Sequence, residues 1–238
     1  MVLNAAGEEI VDCLKQVEAQ RLQRALDSVL GQEVRAVKAY QHARFAQTYA
    51  DMLAHPRFGA ATEFFLEDLY GPADFTNRDA QFMRIVPALV RLFPRDVVDT
   101  VLCLGRLHAL SEQLDTQMGR KALELKQAGE ALNGRLYGEC WRGLGQPGER
   151  EKQISLMLAV GSALEGYTRN PLLRHSLRLM RGPAQVAGLG SLQVFLERGF
   201  DTFRAMKGAS TFLDTIAQRE RALAAQLFAG ADAPGVSH

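Results

Sequence analysis

The stretch from Asp96 to Lys126, DVVDTVLCLGRLHALSEQLDTQMGRKALELK, decides the fold class. Val97, Val101 and Leu104 recur at steps of three and four, and Leu107, Leu110, Leu114 and Met118 continue the row. That spacing is the period of an amphipathic helix. A half-buried strand would alternate with a period of two, and no segment of this chain does so. No proline falls inside the stretch, so one long helix over about 96–126 is expected.

The pattern extends in both directions. Upstream, residues 8–29 and 32–54 read as two helices parted by Gly31, and a third, about 60–70, stops at Gly71-Pro72. Thr76 is placed to cap a fourth helix, with Asp79 favoured in its first turn. Phe82, Ile85, Val86 and Leu89 line that helix, Pro87 is expected to kink it, and Pro94 ends it. Downstream, Leu132, Leu136, Tyr137, Cys140 and Trp141 predict a helix at 130–143. Gly134 and Gly138 lie four apart on it, a face that another helix could approach closely. Helices are expected at 149–167, at 171–181 behind the Asn170-Pro171 start, at 191–206 and at 209–228. Gly182 to Gly190 reads as an irregular link.

The fold is therefore all-α, an irregular bundle of nine to eleven helices. Residues 1–230 form a single helical domain, with two lobes joined near 127–148 as the alternative, and 231–238 are expected to fray.

With 47% hydrophobic and 23% charged residues, the chain is built like a globular domain. Its net charge of +1 supplies no long-range attraction to nucleic acid or anionic lipid. Cys13, Cys103 and Cys140 form no C-x-x-C pair and read as reduced thiols of a cytoplasmic protein. The first residues show no basic region before an apolar core, so no secretory signal is expected. No apolar run reaches the roughly 18–20 residues that cross a bilayer.

Residues 64–79, FFLEDLYGPADFTNRD, concentrate aromatics and carboxylates at a junction between helices. With Leu107–Asp115 (LHALSEQLD), 192–203 (LQVFLERGFDTF) and 212–220 (FLDTIAQRE), this stretch resembles a family of uncharacterised proteobacterial proteins. The resemblance runs roughly from Tyr49 to Glu220. It implies one helical domain and transfers no activity or catalytic residue.

Several clusters are candidates for chemistry. Glu63, Glu67 and Asp68 could bind a metal or exchange protons; the alternative is an acidic face paired with arginines. No Glu-x-x-His repeat of a di-iron bundle accompanies them. His108 could ligate haem iron or another ligand from a helix-lined pocket; the alternative is a hydrogen bond to Glu112, one turn on. Arg174, Arg178 and Arg181 form a basic stripe suited to an anion or to pairing with acidic helices. Asp68, Tyr70 and Asp74 flank the turn and are expected to form a rigid recognition loop. Ser111 follows His108, but no residue is spaced in sequence to complete a triad. The leading reading is a non-enzymatic cytoplasmic interaction or regulatory module. A haem or small-molecule binder at His108 and a metal-dependent enzyme at Glu63, Glu67 and Asp68 are the alternatives. The sequence names no partner, cofactor or oligomeric state.

Overall fold

The computed structural model describes residues 4–69 and 75–235. Helix α1 spans Ala5–Leu26 and α2 spans Ser28–Thr48, followed by the short α3 (Ala50–Leu53) and α4 (Gly59–Phe64), which runs into a π-helical turn at Phe65–Leu69. Then come α5 (Thr76–Leu92), α6 (Arg95–Leu125), α7 (Gly134–Leu144), α8 (Pro147–Thr168), α9 (Pro171–Leu179), α10 (Arg181–Val186), α11 (Gly190–Ala205) and α12 (Ser210–Phe228). There is no strand among the described residues, and the fold is an all-α multi-helix bundle.

Helix α6 is the axis. It packs against α1, α2, α7 and α8, with a lighter contact to α5. Leu107, Leu110, Leu114 and Met118 are buried as their spacing predicts. Toward the helix start, Val98 and Leu102 are the deeply buried residues, whereas Val97, Val101 and Leu104 are half-buried. Burying a side chain of this size contributes roughly 1.5–3 kcal/mol. Three apolar clusters flank the axis. Ile10, Leu14, Val86 and Leu102 join α1, α5 and α6. Tyr40, Met118, Leu136, Tyr137 and Trp141 join α2, α6 and α7. Phe45, Tyr49, Phe64, Phe65, Phe203 and Phe212 form the largest, an aromatic cluster. Within it the Phe65 and Phe212 rings meet edge to face at 5.4 Å.

The structure departs from the sequence expectations at specific places. The first break falls at Asp27, not Gly31. The Asp27 carboxylate accepts from the Leu30 amide at 3.0 Å and starts α2, as an aspartate at a helix start does. Gly31 serves close packing instead. A Cβ there would lie 2.7 Å from the Arg24 carbonyl oxygen, so glycine lets the end of α1 lie against the start of α2. Thr76 is the first helical residue of α5 and not its cap; Phe75 stands at the cap and makes no side-chain capping bond. Asp79 is in the first turn as expected, but its carboxylate is committed to other helices. At the end of α4 and into the π-helical turn, Phe64, Phe65 and Leu66 are buried; Gly71 and Pro72 lie outside the described residues. The helix expected from 130 begins at Gly134, behind the Asn133 cap. Part of the expected link at 182–190 is the helix α10.

In the C-terminal segment, where 231–238 are expected to fray, residues 231–234 make contacts with α2 and α7. Ala233 is buried, its amide donates to the Gly134 carbonyl at 3.0 Å, and the Tyr40 hydroxyl donates to the Pro234 carbonyl at 2.7 Å. The backbone of this segment approaches the Gly134/Gly138 face most closely, with the Tyr40 hydroxyl of α2 beside it. A Cβ on Gly134 would collide with the Ala233 carbonyl, and one on Gly138 would sit 3.0 Å from the Ala231 carbonyl oxygen.

Candidate ligand pocket beside His108

A cavity of about 100 Å³ lies between α1, α5, α6 and α11. Its walls are mainly apolar, with Leu14, Phe82, Leu104 and Phe195 among them, and Arg78, Asp79, His108 and Ser111 supply the polar groups. Arg78 and Asp79 arrive from the first turn of α5, while His108 and Ser111 are one turn apart on α6.

Asp79 organises this end. Its Oδ2 accepts from Arg21 of α1 at 2.7 Å and is 2.8 Å from Nε2 of His108. The carboxylate and the imidazole are largely buried, with 15% and 19% of their side chains exposed. Burial alone would raise the Asp79 pKa, but the bonds from His108 and Arg21 outweigh it and hold the carboxyl below its usual range. The ionised carboxylate accepts from the imidazole Nε2–H and so fixes the ring, with Nδ1 on its other side. The Arg78 guanidinium lies 4.0 Å from the Phe75 ring centre and 4.5 Å from that of Phe195. Its NH1 donates to the Asp68 carbonyl at 2.8 Å. Ser111 Oγ is 2.9 Å from Nε2 of Gln153, which donates to it, so that hydroxyl is held by α8.

His108 thus pairs with Asp79, and the expected hydrogen bond to Glu112 is corrected. Glu112 points to the α1–α2 side, where it accepts from Arg24 and from Lys38, each at 2.6 Å. Burial would raise the Glu112 pKa, but the two cations pull it down to about 2. Asp115, one turn on, accepts from Gln41 at 3.1 Å and lies 3.7 Å from Lys38; burial pushes its pKa up.

The remaining candidates are dispersed. Glu63 is exposed, 3.8 Å from Arg198. Asp68 pairs with Arg198 at 2.7 Å, and Glu67 lies 3.2 Å from His42. The three carboxylates share partners on α2 and α11 and do not converge. Among the described residues no group of three or more metal-ligating side chains could hold an ion. On the basic stripe, Arg174 pairs with Asp201 at 2.9 Å and Arg181 with Glu197 at 2.7 Å, both on α11. Arg178 is exposed beside Glu197. Tyr70 and Asp74 lie outside the described residues.

Sequence reasoning missed Arg21, Arg78 and the second role of Asp79. Asp79 and His108 are 29 positions apart, with a helix boundary between them. The one available signal was a pair of adjacent charged residues in the first turn of a helix, where a single acidic residue would satisfy the dipole.

The molecule is an all-helical protein with a small pocket whose polar end is organised by an Asp–His pair. Residues 20–234 match the family described as Domain of unknown function (DUF8198), and the chain belongs to that family. No curated protein and no solved structure matches it.

Proposed function

We propose that this chain is a non-enzymatic binding protein for a small molecule with an apolar body and a polar end. The ligand enters the pocket beside His108. The observation that carries this reading is the meeting of an apolar wall with an imidazole oriented by Asp79 in the same cavity. Such a combination grips an apolar body by burial and fixes a polar end by hydrogen bonding. The pocket is smaller than the roughly 300–1,000 Å³ of sites for drug-sized ligands, so the occupant is a fragment-sized molecule or one end of a longer one. Haem fits poorly: the volume of about 100 Å³ is small, and Nε2 of His108 is engaged by Asp79. We also place the protein in the cytoplasm, on the strength of three free cysteines, two of them buried. No helix of the described residues is long and apolar enough to cross a membrane.

The test is methyl and imidazole NMR with phenol, indole and butyrate as probes. Saturable shifts at His108 and Leu104 are expected, and Leu104→Phe, which fills the cavity, should abolish them. Shifts that never saturate, or that persist in Leu104→Phe, would overturn the assignment.

A second reading is a docking module. Leu172, Leu179 and Met180 on or just after α9, with Val186 on α10, expose 52–93% of their surface close together in sequence. If Leu179→Asp releases a co-purifying protein while the pocket binds none of the three probes, the interaction surface is the functional one.

A further inference from the structure

A second, more enclosed cavity of about 50 Å³ lies where α2, α7, α8 and α12 meet, away from the His108 pocket. Two hydrogen-bond donors on its walls belong to residues more than nine-tenths buried and have no acceptor among the described residues: Nε of Arg44 and Nε1 of Trp141. The other groups of these walls are better accounted for. Arg44 donates through NH1 to Oε1 of Glu220 at 2.6 Å, and the Tyr49 hydroxyl donates to the same oxygen at 2.9 Å. The Arg150 guanidinium stacks 4.2 Å over the Trp141 ring and donates to Gln153 at 3.2 Å. Gln41 is spent on Asp115.

Two facts restrict what such a cavity receives. The unmet groups are both donors, so the complementary occupant is an acceptor. The charged residues on the walls are two cations, Arg44 and Arg150, and one carboxylate, Glu220, so the walls favour negative charge. A buried donor without an acceptor is costly, and an acceptor carrying a single negative charge would relieve that cost. Size narrows the class further: on the measure by which one water needs about 10–15 Å³, the cavity of about 50 Å³ has room for a few waters or one small ion. We propose that the Arg44–Trp141 cavity is a binding site for a small monovalent anion, of halide or formate size, held by Nε–H of Arg44 and Nε1–H of Trp141. Such an anion would tie α2 to α7 in the interior and couple the stability of the bundle to anion concentration.

Trp141 is the one tryptophan in the chain, so its fluorescence reports on this cavity alone. The experiment titrates the full chain with sodium chloride or sodium bromide, ionic strength being held constant with sodium gluconate, an anion too large to enter. A saturable rise of melting temperature is expected with chloride and none with gluconate. Bromide should quench Trp141 saturably, with an unchanged fluorescence lifetime in the remaining emission, the signature of a formed complex. Arg44→Lys keeps the charge that faces Glu220 and removes Nε–H; it should weaken the chloride effect at least tenfold. Trp141→Phe keeps a ring beneath Arg150 and removes Nε1–H, with the same expected loss. Water alone in the cavity predicts chloride and gluconate acting alike and bromide quenching that is only collisional, and that result overturns the proposal. Equal chloride affinity in wild type and both variants also overturns it. Should either variant fail to fold, saturable quenching of the wild type by bromide against gluconate decides the matter.

Discussion

Along its first half, α6 faces α1, α5 and α11 across an apolar pocket, and the charges there run from Arg21 through Asp79 to His108, with Arg78 Nε 4.0 Å from the other Asp79 oxygen. Along its second half it meets α2, and the buried carboxylates Glu112 and Asp115 lie among Arg24, Lys38 and Gln41. Both regions bury an acid, but they neutralise it differently. Glu112 receives two full cations on its two oxygens, an arrangement that can only hold helices together. Asp79 shares one oxygen between an arginine and an imidazole, and the imidazole keeps a ring nitrogen for other work. A buried charge that is over-compensated is structural. One whose partner retains hydrogen-bonding capacity beside a cavity is available to a ligand.

The largest effect expected is that of Leu110→Asp. Leu110 is buried in mid-row on α6, and an aspartate there would be an unpaired charge in the core. A loss above about 4 kcal/mol, or failure to fold, is expected from chemical denaturation. Should the variant keep a near-native midpoint, the faces of α6 are wrongly assigned.

Glu112→Ala comes next, at about 3 kcal/mol, because it leaves Arg24 and Lys38 facing one another without their acid. Asp79→Asn should cost about 1 kcal/mol, since the amide keeps one hydrogen bond and His108 is partly exposed. If the two losses are equal, the contrast between the two regions fails.

The same contrast has a pH signature. The folded pKa of Glu112, about 2, lies below the usual 4.5. Its ion pairs therefore contribute fully above pH 4.5 and are lost as pH falls toward 2, a contribution on the order of 3 kcal/mol. Asp115 works in the opposite sense, because burial raises its pKa and acid relieves that cost. Urea midpoints of wild type and Glu112→Gln, followed from about pH 6 down to about pH 3, should converge as acid removes what the variant already lacks. Parallel curves would show that Glu112 does not carry the linkage.

Deleting residues 231–238 tests the third packed region. The loss of the Ala233 and Pro234 hydrogen bonds and of a buried alanine should cost about 1–2 kcal/mol, seen as a lower melting temperature. An unchanged melting temperature would mean that this segment contributes nothing in solution. Last, Glu63→Ala should fall within about 0.5 kcal/mol of wild type, since Glu63 is exposed and only loosely paired.

Local chemistry made much of this protein legible before any coordinates. The apolar period of 96–126 predicted α6 to within a residue at each end, because a sustained helical spacing over that length has no competing reading. Asn170-Pro171 marked the start of α9 because a cap followed by proline is a local instruction; Asn170 Oδ1 accepts from the Leu172 amide at 3.0 Å. Where two local signals competed, as Asp27 and Gly31 did, the capping hydrogen bond set the break and the glycine served close approach. The partner of His108 was not legible. Glu112 stood one turn away on the same helix, yet Arg24 and Lys38 drew it to the other side, and Asp79 reached His108 from α5. Likewise Gly134 and Gly138 announced a close approach without saying by what, and the tertiary fold brought in residues 231–235. Sequence alone determined most of the helices and, along the second half of α6, the face that is buried, because both depend on neighbours three and four residues away. Only the tertiary structure decided which charge meets which and where cavities remain, because those depend on helices that meet across many intervening residues.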